Sequence, residues 1–136
     1  MHLRAAAVLF AALAALPAQV TPVAGTGCGQ STTSVQFAPQ IGQQIVITNP
    51  FVCFLQTALV AIGTAAPTPV PWTGCANTSC PVGVLPIALQ FNVGYASMAV
   101  QIPNDPGLIG FCFRAQTACM SATCISPDRA VDICVQ

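Results

Sequence analysis

The sequence predicts an all-β fold, a single disulfide-stapled β-sandwich of about seven short strands. Two observations predict it. Twelve prolines and 10 glycines divide the 136 residues into short runs rich in Val, Ile, Phe and Thr, and several runs alternate apolar with polar residues. The chain also has eight cysteines, an even number, which in an exported protein indicates a disulfide framework.

Residues 1–18 are predicted to be a secretory signal peptide. His2 and Arg4 form a polar, positive start, residues 5–16 are uninterruptedly apolar, and Pro17 and Ala18 offer a cleavage point. The apolar run is shorter than the roughly 20 residues that a membrane-spanning helix needs. We therefore expect a secreted protein, extracellular or at the cell surface, without membrane insertion.

The remaining chain is expected to form an N-terminal arm and one domain. Residues 19–33 precede the first clear strand pattern, so they are predicted to be an arm that adds to the sheet edge of a neighbouring copy. Residues 34–136 are predicted to be the β-sandwich domain.

Runs between turn residues predict the strands of this domain in order. Residues 52–62 are apolar on both faces, which favours a central strand, with a buried helix as the alternative. Leu85, Ile87, Leu89 and Phe91 are predicted to share one face. The predicted strands are residues 34–37, 43–48, 52–62, 85–91, 95–102, 111–116 and 130–135.

Residues 63–83 are predicted to be the one long connection. Prolines make residues 64–71 extended and stiff, and the tryptophan Trp72 follows them. A disulfide-pinned crossover with Trp72 capping the core is the first interpretation. The alternative is a ligand platform that uses Trp72 and Tyr95, while Asn77 begins a glycosylation sequon.

The segment Asp105, Pro106 and Gly107 is predicted to be a type II turn. Proline suits its second position and glycine its third, and the Asp105 carboxylate would accept hydrogen bonds from backbone N–H groups. A calcium site formed by Asp105, Asp128 and Asp132 is a weaker alternative, because calcium needs six to eight oxygen ligands.

Charge excludes several classes of function. Beyond residue 18 the chain has no Lys, Glu or His, and its two arginines and three aspartates give a net charge of −1. Nucleic-acid binding needs a basic patch, and catalysis of the Ser–His or Cys–His type needs an imidazole. We predict no enzymatic activity and no cofactor. The charged residues are Arg114, Arg129, Asp105, Asp128 and Asp132.

Disulfides are favoured over zinc, because the closest cysteine spacings only reach the edge of the range typical of zinc sites. Spacing does not determine the pairing; the pairs we expect are Cys119–Cys124, Cys112–Cys134 and a bond from Cys28 to Cys75 or Cys80. Asp128 and Arg129 are expected to form a surface ion pair. The eight cysteines are Cys28, Cys53, Cys75, Cys80, Cys112, Cys119, Cys124 and Cys134.

Several motifs resemble a β-rich module found in exported proteins of planctomycetes and other environmental bacteria. The closest is "IPNDPGLIGFCFRAQ", residues 102–116, which resembles the Ile-Pro-Asn-x-Pro-x-Leu-x-Gly turn and following strand of that module. "GTGCGQ" and "IGQQIVITN" resemble its opening segments. The resemblance implies an exported β-sandwich without an established activity and therefore without catalytic residues.

Low charge leads to the functional hypothesis. Soluble proteins carry charge on about a quarter of their residues, and an uncharged surface tends to associate. We therefore expect a self-assembling structural protein, a subunit of an extracellular filament, tubule or coat whose partners are copies of itself. Such a subunit would bury residues 19–33 or an apolar face at Val52, Phe54 and Val60. The alternatives are a monomeric carbohydrate- or ligand-binding module, with Trp72 in a concave site, and a small inhibitor-like scaffold.

Overall fold

The protein is all-β, and two antiparallel sheets pack as a sandwich, which confirms the predicted fold class. The computed structural model describes residues 19–28 and 31–136, so the predicted signal peptide lies outside the described residues. Nine strands are present in the described part. They are β1 Val20–Pro22, β2 Ser34–Gln36, β3 Gln44–Thr48, β4 Thr57–Val70, β5 Val82–Val93, β6 Ser97–Gln101, β7 Cys112–Met120, β8 Ile125–Pro127 and β9 Val131–Cys134.

The two sheets differ in width. The large sheet has the order β1-β9-β7-β4-β5, with β8 pairing with the second half of β7, and the small sheet has the order β2-β3-β6. The core lies between them and contains Ile45 and Ile47 from β3, Val60 from β4 and Ile133 from β9, all fully buried. The three-stranded sheet is too narrow to cover all of the large one, and β5, at one edge, has mostly exposed residues.

The disulfides join distant parts of the chain. The four bonds are Cys28–Cys80, Cys53–Cys119, Cys75–Cys124 and Cys112–Cys134. The predictions for Cys112–Cys134 and for Cys28 with Cys80 are confirmed. The predicted Cys119–Cys124 staple is wrong, because Cys119 lies opposite Ser126 in the β7–β8 pair and packs against the core beside Cys53.

Residues 19–33 are not a projecting arm in the described structure. Val20 pairs with Ile133, so β1 forms the outer strand of the chain's own large sheet. The Cys28–Cys80 disulfide and the bridge between Thr32 and Arg129 attach the following residues to the same domain. Since β1 already has an intramolecular partner, strand donation by this segment is not the contact to expect between copies.

The predicted strand at residues 52–62 begins later and extends much further. Phe54 and Leu55 are in an exposed turn, and β4 starts at Thr57. Its second half contains Pro67 and Pro69, which we expected to be in a loop. The strand accommodates them because the pairing of β4 with β5 is interrupted between Ala65 and Val70, where no ladder hydrogen bond is needed.

The segment around Asp105 is a short 3-10 turn, Pro106–Leu108, and not a type II turn. Gly107 does not have the positive φ that a type II turn requires at its third position. Asp105 nevertheless has the expected role, because its Oδ1 accepts a hydrogen bond of 2.8 Å from the Gly107 N–H. The carboxylate therefore caps a bend.

Candidate interaction surface

Large exposed apolar side chains concentrate in two parts of the molecule. The first is β5, where five such side chains have exposures between 44% and 81%. The second is the turn before β4, which we call the apolar knob and define as Phe51, Val52, Phe54 and Leu55, with exposures between 67% and 88%. The five on β5 are Leu85, Ile87, Leu89, Phe91 and Val93.

One side of β5 is an open backbone edge. Among the described residues, β5 pairs with β4 and with no other strand. The Gly94 N–H points toward the β4 side and donates to the Gln56 carbonyl. The N–H of the preceding residue, Val93, donates instead to the Asn92 Oδ1 atom at 2.8 Å. Hydrogen bonding alternates along antiparallel strands, so the N–H and C=O groups of Phe91 and Leu89 point away from β4 and are available to another strand.

A bulge divides β5 into two parts. Ile62 pairs with Ala88 but Gly63 pairs with Pro86, which leaves Ile87 as the extra residue. Gly63 is required here, because a Cβ atom would lie 1.9 Å from the Leu85 carbonyl oxygen. Pro86 and the bulge interrupt the edge, so the open stretch is residues 88–93.

The bulge also changes which face the side chains occupy. Phe91 lies opposite Leu59 and Leu89 opposite Ala61, so both project from the outer face of the large sheet, away from the core residue Val60. Ile87 instead lines the space between the two sheets. The prediction that Leu85, Ile87, Leu89 and Phe91 share one face is therefore wrong.

The open edge lacks the usual protection against association. Edge strands of soluble proteins commonly carry lysines or inward-pointing charges. No charged residue occurs on β5 or in the apolar knob. The ion pair between Arg114 Nε and Asp132 Oδ1, at 2.7 Å, joins β7 and β9 instead.

A groove of about 340 Å³ opens between the sheets beside β5. We call it the inter-sheet groove. It exists because the small sheet ends at β6, so no further strand fills the space next to Ile87. No charged side chain lines it. Its principal apolar walls are Ile62, Ile87, Val100, Leu108, Phe111 and Phe113.

The two residues of the predicted ligand platform are not brought together. Trp72, which is 42% exposed, lines a small cavity of about 120 Å³ on the outer face with Leu59 and Val84. Its carbonyl accepts from the Cys80 N–H, which places it near the start of β5. Tyr95 follows the other end of β5 and does not line this cavity. The arrangement therefore offers no shared stacking surface.

The three aspartates do not form a metal site either. No group of three His, Cys, Asp or Glu side chains with metal-binding geometry occurs among the described residues. Asp132 bonds Arg114, and Asp105 caps its own turn. Asp128 is buried and is therefore not the surface residue that the expected pair with Arg129 assumed.

Asp128 belongs to a buried hydrogen-bond network that also includes Thr117 of β7 and Thr33, the residue before β2. Its Oδ2 accepts from the Thr117 hydroxyl at 2.7 Å, and the Thr117 N–H donates to the Thr33 hydroxyl at 3.0 Å. Burial raises the pKa of Asp128 above the ordinary aspartate value, although hydrogen bonds with Ser31, Thr117 and Asn49 act in the opposite direction.

This raised pKa predicts a loss of stability as the pH increases. The folded state binds the Asp128 proton more tightly than the unfolded state does, so the stabilisation is complete below a pH of about 4 and is lost as the pH rises through the raised pKa. Asp128→Asn should remove this part of the pH dependence in urea unfolding between pH 3 and 7. Asp105→Asn is the matched control, and identical profiles for Asp128→Asn and wild type would contradict the prediction.

Comparison of the chain with protein-family models, with curated proteins and with solved structures found no match. The resemblance to the exported bacterial module therefore stays a prediction. The four disulfides indicate an oxidising, extracellular type of environment. In the part of the chain that the structure describes, no helix is long and apolar enough to cross a membrane.

Proposed function

We propose that the protein is a secreted, non-enzymatic structural subunit that assembles with copies of itself into an extracellular filament, tubule or coat. The observation that carries the proposal is the open edge of β5, which combines free backbone groups at Leu89 and Phe91 with exposed apolar side chains and no charge.

The most suitable partner for this edge is β5 of a second copy. Among the described strands, the opposite edge of the large sheet is β1, which has three residues, and the small sheet ends in strands of three and five residues. Antiparallel pairing of two β5 strands is self-complementary and would join the large sheets of two copies into one continuous sheet, so a filament or coat needs a second contact between such pairs.

Such pairing would bury apolar surface as well as satisfy backbone groups. Leu89, Phe91 and Val93 are 50%, 53% and 81% exposed and project from the same face. In the joined sheet they would contact the equivalent residues of the second copy. Burial of apolar surface contributes about 25 cal/mol per Å², and no charged side chain has to be desolvated in this contact.

The state of association of the secreted protein tests the proposal. We expect sedimentation velocity at neutral pH to show species that grow with protein concentration, and negative-stain electron microscopy to show regular filaments or sheets. A monodisperse monomer at all concentrations would contradict the proposal and would favour a ligand-binding module, to be followed by glycan screening with Trp72→Ala as a control.

A further inference from the structure

The apolar knob is a rigid projection. Cys53, at its centre, is 2% exposed, forms the disulfide with Cys119 and donates its N–H to the Gly94 carbonyl. Leu55 has a φ of 55°, a left-handed conformation that leucine rarely adopts outside a well-determined turn. The flanking side chains, by contrast, project into solvent, with Phe54 80% exposed. A rigid turn of this kind loses little conformational entropy when it binds.

The inter-sheet groove lies at the other end of the molecule. The knob precedes the first residue of β4, whereas the groove begins at Ile62 and includes Phe111, which comes before β7. From Thr57, the first strand residue after the knob, to Ile62 the chain advances about 17 Å, at ~3.4 Å per residue of extended strand. Knob and groove of one copy therefore cannot meet each other.

The groove matches the knob in size and chemistry. A cavity of about 150 Å³ holds one benzene molecule, so the groove of about 340 Å³ has room for roughly two phenyl rings. The knob carries two, those of Phe51 and Phe54. Both surfaces are uncharged. The two rings alone would bury roughly 300 Å² of the ~800 Å² per partner that is usual in a stable interface, and Val52 and Leu55 add to this area.

We infer that the apolar knob of one copy inserts into the inter-sheet groove of a second copy. The contact joins two different surfaces of the subunit, so it does not close in a pair and links copies head to tail, in an open chain wherever the rotation between copies does not close a ring. This inference rests on the proposed function and adds a second contact to it. The β5 pairing joins copies side by side, whereas knob insertion joins copies along the axis of the assembly.

Two complementary variants test this contact in a Phe91→Lys background, in which the β5 edge is blocked. Phe54→Asp places a charge on the knob, and Ile87→Asp places one in the groove; both positions are about 80% exposed, so folding should be retained. Phe37→Asp, at a phenylalanine that is 69% exposed and belongs to neither surface, is the control. Leu55→Asp serves as a second knob variant.

We expect the background protein and the Phe37→Asp control to form chains in sedimentation velocity. Each test variant alone should be monomeric, its association weakened by more than about 100-fold, because an unpaired charge is costly in an apolar site. An equimolar mixture of Phe54→Asp and Ile87→Asp should form one-to-one dimers and nothing longer. The intact knob of the Ile87→Asp protein can enter the intact groove of the Phe54→Asp protein, and the remaining knob and groove of that dimer both carry a charge.

Three results would overturn the inference: chains formed by either variant alone, a mixture that stays monomeric, or a monomeric Phe91→Lys background when wild type assembles. All three leave the proposed self-association through β5 in place, since none of them bears on pairing of the β5 edges. A wild-type protein that does not assemble would reject both together.

Discussion

Replacing Cys53 and Cys119 by alanine is expected to lower the free energy of unfolding by about 4 kcal/mol. The two cysteines are 66 residues apart, but the intact Cys75–Cys124 bond shortens the loop between them to roughly 27 residues, which gives a chain-entropy contribution of about 3 kcal/mol. Loss of the buried Cys53 side chain from the core adds to this cost. Because domains of this size are stable by only about 5–15 kcal/mol, the variant should unfold at much lower urea concentration or temperature. The bond also positions the apolar knob, so assembly should weaken along its axis.

Removal of the Cys112–Cys134 bond provides the matched comparison. This disulfide spans 22 residues, and Cys112 is exposed in the first position of β7, so its loss should cost about 3 kcal/mol. Urea unfolding of the two double variants should therefore rank the buried bond above the exposed one. Equal stability of the Cys53→Ala, Cys119→Ala variant and wild type would show that the core does not depend on this link.

Phe91→Lys is expected to abolish side-by-side association while leaving the fold intact. Phe91 is 53% exposed, and its outward N–H and C=O groups are at the centre of the open stretch of β5. In a pair of antiparallel β5 strands the lysine of one copy would approach that of the other, and like charges on neighbouring strands are destabilising. Sedimentation should detect single chains, joined only through the knob, in place of wider species.

Gln40→Lys controls for the change in net charge, because Gln40 is exposed in a loop of the small-sheet side and takes no part in β5. It should assemble like wild type. If Phe91→Lys and Gln40→Lys behave alike, the β5 edge is not the lateral contact.

The strands that the sequence predicts well are those with simple alternation. In β3, Ile45 and Ile47 are buried while Gln44 is exposed, and the β6 and β9 patterns are equally regular. The strands β1 and β8 were missed because each has three residues and ends in proline. The extension of β4 was missed for a related reason: prolines normally exclude a strand, and only its interrupted pairing with β5 admits them.

The interaction surface was predictable only in part. Low charge indicates association, but an apolar run is normally expected to be buried, so the sequence gives no sign that Phe91 lies on an open edge. The division of β5 into two faces depends on the close approach of the Gly63 and Leu85 backbones. Val60, which the sequence placed on the apolar outer face with Val52 and Phe54, is fully buried in the core, while the other two are exposed.

Amide hydrogen exchange at single-residue resolution, compared between dilute monomer and assembled protein, tests β5 pairing most directly. The amides of Leu89 and Phe91 have no partner strand in the single subunit, so they should exchange rapidly in the monomer and become protected on assembly. The amide of Gln90, which points toward β4, should be protected in both states. Rapid exchange at Leu89 and Phe91 in the assembled protein would contradict assembly through the β5 edge.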